Sequence, residues 1–155
     1  MKRFSIIVGF VILVPLYAAD PPGFVHWRSA TLKGFEQKLA PKINAQKAAV
    51  EQIGNFGNHV VLAVHRQGNG EVEIHETQVD VFVVQSGEAA LIVGGKVEGG
   101  KPTGPGEIRG TSIQGGERVS LSAGDMVHIP AKLPHQVMVD PGKQITYLVV
   151  KVPAQ

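Results

Sequence analysis

From about residue 48 to its end, the chain is a series of short apolar runs separated by turn residues. Residues 49–56 form a weak first run, Gly57-Asn58 turns the chain, and residues 59–65 form a strongly apolar second run. Gln67-Gly-Asn-Gly70 reads as a turn tolerant of positive φ. Residues 73–75 then alternate polar and apolar, Asp80 follows a short turn, and residues 81–84 are an apolar strand that Ser86-Gly87 turns again. Further strands are predicted at 88–93, 117–121, 126–129, 136–139 and 145–152, with turns at Gly115-Gly116, Ser122-Ala-Gly-Asp125 and Asp140-Pro-Gly142. Residues 94–110, rich in Gly and Pro, read as one long loop over an end of the domain. Many short strands with frequent turns predict a sandwich or barrel. Ahead of them, residues 29–39 carry Leu32, Phe35 and Leu39 on one helical face, with Ser29 or Thr31 placed to cap the helix and Pro41 beyond its end.

The first 19 residues have a different character. Lys2-Arg3, an apolar run over 6–16 and the small pair Ala18-Ala19 have the layout of a secretory signal peptide, which predicts a periplasmic or secreted protein. The alternative is an uncleaved anchor, although the run is short for a membrane span. The chain thus divides into a signal peptide (1–19), an N-terminal extension with a short helix (20–47) and a β-domain (48–155). Its length suits one domain with one core. Loss of Lys2 and Arg3 would bring the 15 basic residues level with the 13 acidic ones. With no basic stripe and no regularly spaced aromatics, nucleic acid is not an expected partner. After signal cleavage, no membrane association is expected either.

The absence of cysteine excludes disulfides, Cys-ligated zinc and a thiol nucleophile, so metal chemistry would have to use His, Asp and Glu. Residues 73–87 concentrate those types. Glu73 and His75 are two apart and share one face of a strand, and a hairpin brings Asp80 back beside His75. Two carboxylates and an imidazole on one wall are either a metal site or a costly way to fill a core. Without a metal, repulsion between Glu73 and Asp80 would raise the Glu73 pKa and make it a candidate general base. His59 and His65 share a strand face, and strand-end surface positions are the ordinary reading for both. His128 is expected on an outer face and His26 near the surface. Arg66 and Arg109 are candidate clamps for an anionic substrate at a barrel mouth. The glycines after residue 94 lack a phosphate-loop context, and Ser86-Gly87 is not a nucleophile elbow.

Two segments resemble the motifs of the cupin superfamily. The family's first motif is Gly-x5-His-x-His-x(3,4)-Glu-x6-Gly, and the matching stretch here is Glu73-x-His75-x4-Asp80-x6-Gly87. Its second is Gly-x5-Pro-x-Gly-x2-His-x3-Asn, matched by Gly124-x5-Pro130-x-Lys132-x2-His135-x3-Val139. Glu73 replaces a family histidine, Asp80 the glutamate, Lys132 a glycine and Val139 the asparagine. The resemblance implies an all-β jelly-roll barrel with a divalent metal inside it, on Glu73, His75, Asp80 and His135. Two imidazoles and a carboxylate suit Fe(II), and a second carboxylate moves the preference toward Mn, with Zn as a further choice. The implied activity is that of a small metal-dependent enzyme of oxygenase, isomerase or lyase type acting on a small oxygenated molecule. The alternatives are a non-catalytic barrel that binds a small ligand and a structural oligomer with a metal-free polar cluster. The family also implies a homodimer.

Overall fold

The structure, a computed structural model, describes residues 20–155; the expected signal peptide lies outside the described residues. Two short helices, α1 (Ser29–Lys33) and α2 (Phe35–Leu39), and a 3-10 turn (Ala40–Lys42) precede twelve strands. The strands are β1 (Ala48–Asn55), β2 (Val60–Arg66), β3 (Val72–His75), β4 (Gln78–Val93), β5 (Lys96–Glu98), β6 (Lys101–Gly104), β7 (Glu107–Gly110), β8 (Ser112–Gln114), β9 (Glu117–Ser122), β10 (Met126–Ile129), β11 (His135–Met138) and β12 (Ile145–Pro153). Ten of them form one curled sheet along the path β1-β2-β12-β4-β11-β3-β7-β6, with β9 and β10 also paired to β4. Every pairing is antiparallel. This is the expected all-β jelly roll. Among the described residues, no helix is long and apolar enough to cross a membrane.

Strand β4 is the spine of the barrel. Its first half pairs with β10 and β12, and its second half with β9 and β11. The expected turn at Ser86-Gly87 instead continues this 16-residue strand beside a bulge at Gln85, where the register against β12 slips between Thr146 and Tyr147. Gly87 has φ +76°, and a Cβ there would collide with the Gln144 carbonyl, so only glycine fits the bend. Asp80 lies within this strand, after a short turn at Glu76-Thr77. Inward-facing Val64, Phe82, Leu91, Ile129, Ile145, Tyr147 and Val149 meet in the main core. Phe35 and Leu39 of α2 pack on the outer face against Ala49, Ala63 and Leu148 and close a second, smaller core.

Two local expectations are corrected. The helix over 29–39 is broken at Gly34, and neither Ser29 nor Thr31 caps it: Arg28 holds the N-cap position without a side-chain hydrogen bond. Such short helices are held by burial of Phe35 and Leu39 more than by capping. Residues 94–110 are also not a loop. They fold into β5, β6 and β7; β5 pairs with β8, and the β6–β7 hairpin extends the sheet beside β3. Gly106, at φ +70°, turns that hairpin and carries β7 to the polar cluster described next.

Candidate metal centre

Strand register assembles the cluster. His135 on β11 lies opposite Glu73 on β3, and Glu73 lies opposite Arg109 on β7. His75 faces Glu107 across the same β3–β7 pair, while Asp80 on β4 faces Lys151 on β12. Directly opposed side chains stand about 5 Å apart at Cβ, so these rows deliver their heads to one volume inside the barrel. One donor atom from each of Glu73, His75, Asp80 and His135 lies within 4.8 Å of all the others. His75, Asp80 and His135 are buried and Glu73 is half-buried. The four residues singled out in the sequence therefore converge.

Hydrogen bonds orient the two imidazoles. His135 Nδ1 donates to the Leu133 carbonyl (3.1 Å), which turns Nε2 inward. That Nε2 is buried and makes no hydrogen bond; the carboxylates of Glu73 and Asp80 stand 3.7 and 3.9 Å away. His75 Nδ1 donates to Glu107 (2.8 Å), turning its Nε2 toward Asp80 (3.2 Å) and Glu73 (3.4 Å). His135, with its outer nitrogen tied to a carbonyl and its inner nitrogen bare, is arranged as a metal ligand, and Glu107 gives His75 the same orientation. The donor set of two imidazoles and two carboxylates fits a divalent transition metal.

Two cations border the donors. Arg109 contacts Glu73 (2.9 Å) and Glu107 (3.3 Å). Lys151 Nζ contacts both oxygens of Asp80 (2.8 and 2.9 Å) and His75 Nε2 (2.8 Å). Burial opposes the charge on Glu73, but the nearby imidazoles of His135 and His75 and the Arg109 guanidinium hold its carboxyl well below the usual range. This reverses the raised pKa expected for Glu73, because the two imidazoles and the Arg109 cation outweigh the effect of burial. Burial likewise opposes the Asp80 carboxylate, yet His75 and Lys151 keep it low. For His75, burial favours the neutral ring, and hydrogen bonds to Asp80 and Glu73 outweigh it, raising the pKa to about 9. Two protonated nitrogens cannot face each other at 2.8 Å, so one proton lies between His75 Nε2 and Lys151 Nζ.

Glu107 and Lys151 were not singled out in the sequence. Lys151 shares strand parity with Tyr147 and Val149, both core residues, which is a signal that it points inward. Glu107 and Arg109 repeat the i, i+2 spacing of Glu73 and His75, hidden in a glycine-rich segment. Of the two candidate anion clamps, Arg109 is occupied by carboxylates. Arg66 instead contacts Tyr147 Oη (3.2 Å) and makes no carboxylate ion pair among the described residues. It borders an open cleft of about 440 Å³ that reaches Glu73 and joins a narrow inner crevice lined by Phe82, His135 and Tyr147. His65 is fully buried and bonded to Thr146 Oγ1 (2.8 Å), contrary to the surface position expected, because its strand face lies under α2. His26 and His128 are exposed, and His59 is half-buried.

No protein-family model and no curated protein matches the sequence. Solved structures do match. TT1209 from Thermus thermophilus superposes with TM-score 0.55 at 22% identity, over 76% of this chain and 92% of that one. A conserved protein with a double-stranded β-helix domain from Klebsiella pneumoniae gives TM-score 0.51 at 18% identity, over 71% and 80%. A recombinant oxalate oxidase in complex with glycolate gives TM-score 0.51 at 15% identity, over 71% of this chain and 53% of that one. The fold is the double-stranded β-helix of the cupins.

Proposed function

We propose that this is an exported cupin-fold protein that holds a divalent metal on Glu73, His75, Asp80 and His135, and that it is a small metal-dependent enzyme acting on a small, anionic, oxygenated molecule. The observation that carries the metal is the buried, unpartnered Nε2 of His135, aimed at the two carboxylates. Mn or Fe suits the mixed nitrogen and oxygen donors, with Zn the third choice. When bound, the ion would supply Lewis-acid polarisation of a substrate oxygen. The chain does the rest. Glu107 and the Leu133 carbonyl fix the two rings. Arg66, at the edge of the cleft, is free to take a substrate carboxylate, and Phe82 and Tyr147 give the inner crevice an apolar wall. The glycolate bound to the structurally similar oxalate oxidase is a molecule of that class. The depressed Glu73 pKa supports a ligand role for this residue over the role of general base.

Metal analysis of the purified full chain tests this reading. We expect near-stoichiometric Mn, Fe or Zn that is lost in His75→Ala and His135→Ala. Protein that purifies without metal, and takes up none when it is offered, would refute it. One observation favours the second reading, a metal-free ligand-binding barrel: the Lys151 ammonium already contacts two of the four donors.

A further inference from the structure

We infer that Lys151 is the resident cation of this site, and that a divalent metal enters only by displacing its ammonium from Asp80 and His75. This rests on the metal reading above and explains how that reading accommodates a lysine among the ligands. Lys151 Nζ touches His75 Nε2 at 2.8 Å and both Asp80 oxygens at 2.8 and 2.9 Å. Those are the same atoms through which the two residues would hold an ion. The His75 lone pair cannot serve both cations, since the other ring nitrogen is committed to Glu107.

Charge leads to the same conclusion. Glu73, Asp80 and Glu107 are three carboxylates, and Arg109 is paired with two of them. The remaining two negative charges match one dication. A dication together with the Lys151 ammonium would leave an excess positive charge inside the barrel, which is costly where both Asp80 and His75 are buried. Without a metal, the ammonium keeps Asp80, 1% exposed, from being an uncompensated buried charge.

The lysine has a way out. It lies directly opposite Asp80 in the β4–β12 register, so its backbone is fixed. Its side chain retains 18% exposure, against 2% for Asp80, and its flexible four-carbon stem lets the head turn to solvent without moving the strand.

The test compares the wild-type chain with Lys151→Met, which keeps the stem and removes the charge, and with Lys151→Arg, which keeps the charge. All three are stripped with chelator and titrated calorimetrically with Mn(II) and with Zn(II), and the metal-free forms are melted in parallel. Lys151→Met is expected to bind both ions at least about tenfold more tightly than wild type. Metal-free, it should melt at a lower temperature than wild type. Lys151→Arg is expected to keep the weaker wild-type affinity. Should the Met variant fail to fold without metal, Lys151→Gln replaces it in the same titration. Equal or weaker binding by the neutral variants overturns the exchange, as does equally tight binding by the Arg variant. A different result, no binding by any form, overturns the underlying metal reading.

Discussion

The bond from His75 Nδ1 to Glu107 offers a quantitative check on how the site is held. Glu107 accepts that bond at 2.8 Å and is also paired with Arg109. A hydrogen bond to a charged group contributes about 1.5–3 kcal/mol net. The Glu107 side chain is 27% exposed, which places it at the lower end, about 1.5 kcal/mol, or roughly tenfold in a dissociation constant. Glu107→Gln keeps an oxygen acceptor and loses the charge, so metal affinity should fall by about threefold to tenfold. Glu107→Ala loses both acceptor and charge and leaves the ring free to rotate, so the fall should be about tenfold to a hundredfold. Competition for Zn(II) against a chromophoric chelator reads these ratios, and circular dichroism of each variant confirms that it is folded. If folded Glu107→Ala binds within about twofold of wild type, His75 is not oriented by Glu107 and the reasoning fails.

Other consequences are open to simple measurements. Gly87→Ala meets both a positive φ and the Gln144 carbonyl and should cost about 2–4 kcal/mol, visible as a lowered urea midpoint; an unchanged midpoint would show that the bulge tolerates a side chain. Leu91→Ala, at a position with no exposed surface, should cost about 2–5 kcal/mol in the same assay. The stability of the metal-free protein should peak in mild acid. Asp80 and Glu73, both held below their ordinary pKa, contribute stability that is present above about pH 4 and lost below it. His75, raised to about 9, contributes stability that is present below about pH 6.5 and lost as pH rises toward 9. A melting temperature that climbs between about pH 6.5 and 9 would contradict that sign. Arg66→Met in metal-loaded protein should weaken glycolate binding in a calorimetric titration and leave metal content unchanged; equal glycolate affinity would remove Arg66 from the ligand site.

The β-barrel and the four convergent donors were legible in the sequence because each rested on a local signal. Glu73 and His75 share a face by their spacing, and Pro130 with Pro134-His135 marks a turn that carries His135 into the barrel. What was not legible depended on pairing between distant segments. Ser86-Gly87 has the composition of a turn, and only pairing with β12 keeps it in the strand, beside a bulge at Gln85. Residues 94–110 have the composition of a loop, and only the free edge of β3 draws β7 into the sheet and sets Glu107 beside His75. The direction of the Glu73 pKa was not legible because His135 and Arg109, cross-strand neighbours 62 and 36 positions away, join His75 in holding it low, and spacing along the chain does not reveal them.

Because one unbroken strand serves both walls, Asp80 and the segment that pairs with His135 belong to the same lever, bent at Gly87. Any change that straightens or tightens the lever alters the spacing between donors on its two arms, even when no donor is touched. On the proposed metal reading, mutations near residue 87 should therefore shift which ionic radius the barrel prefers, which would make metal choice partly a mechanical property of the backbone.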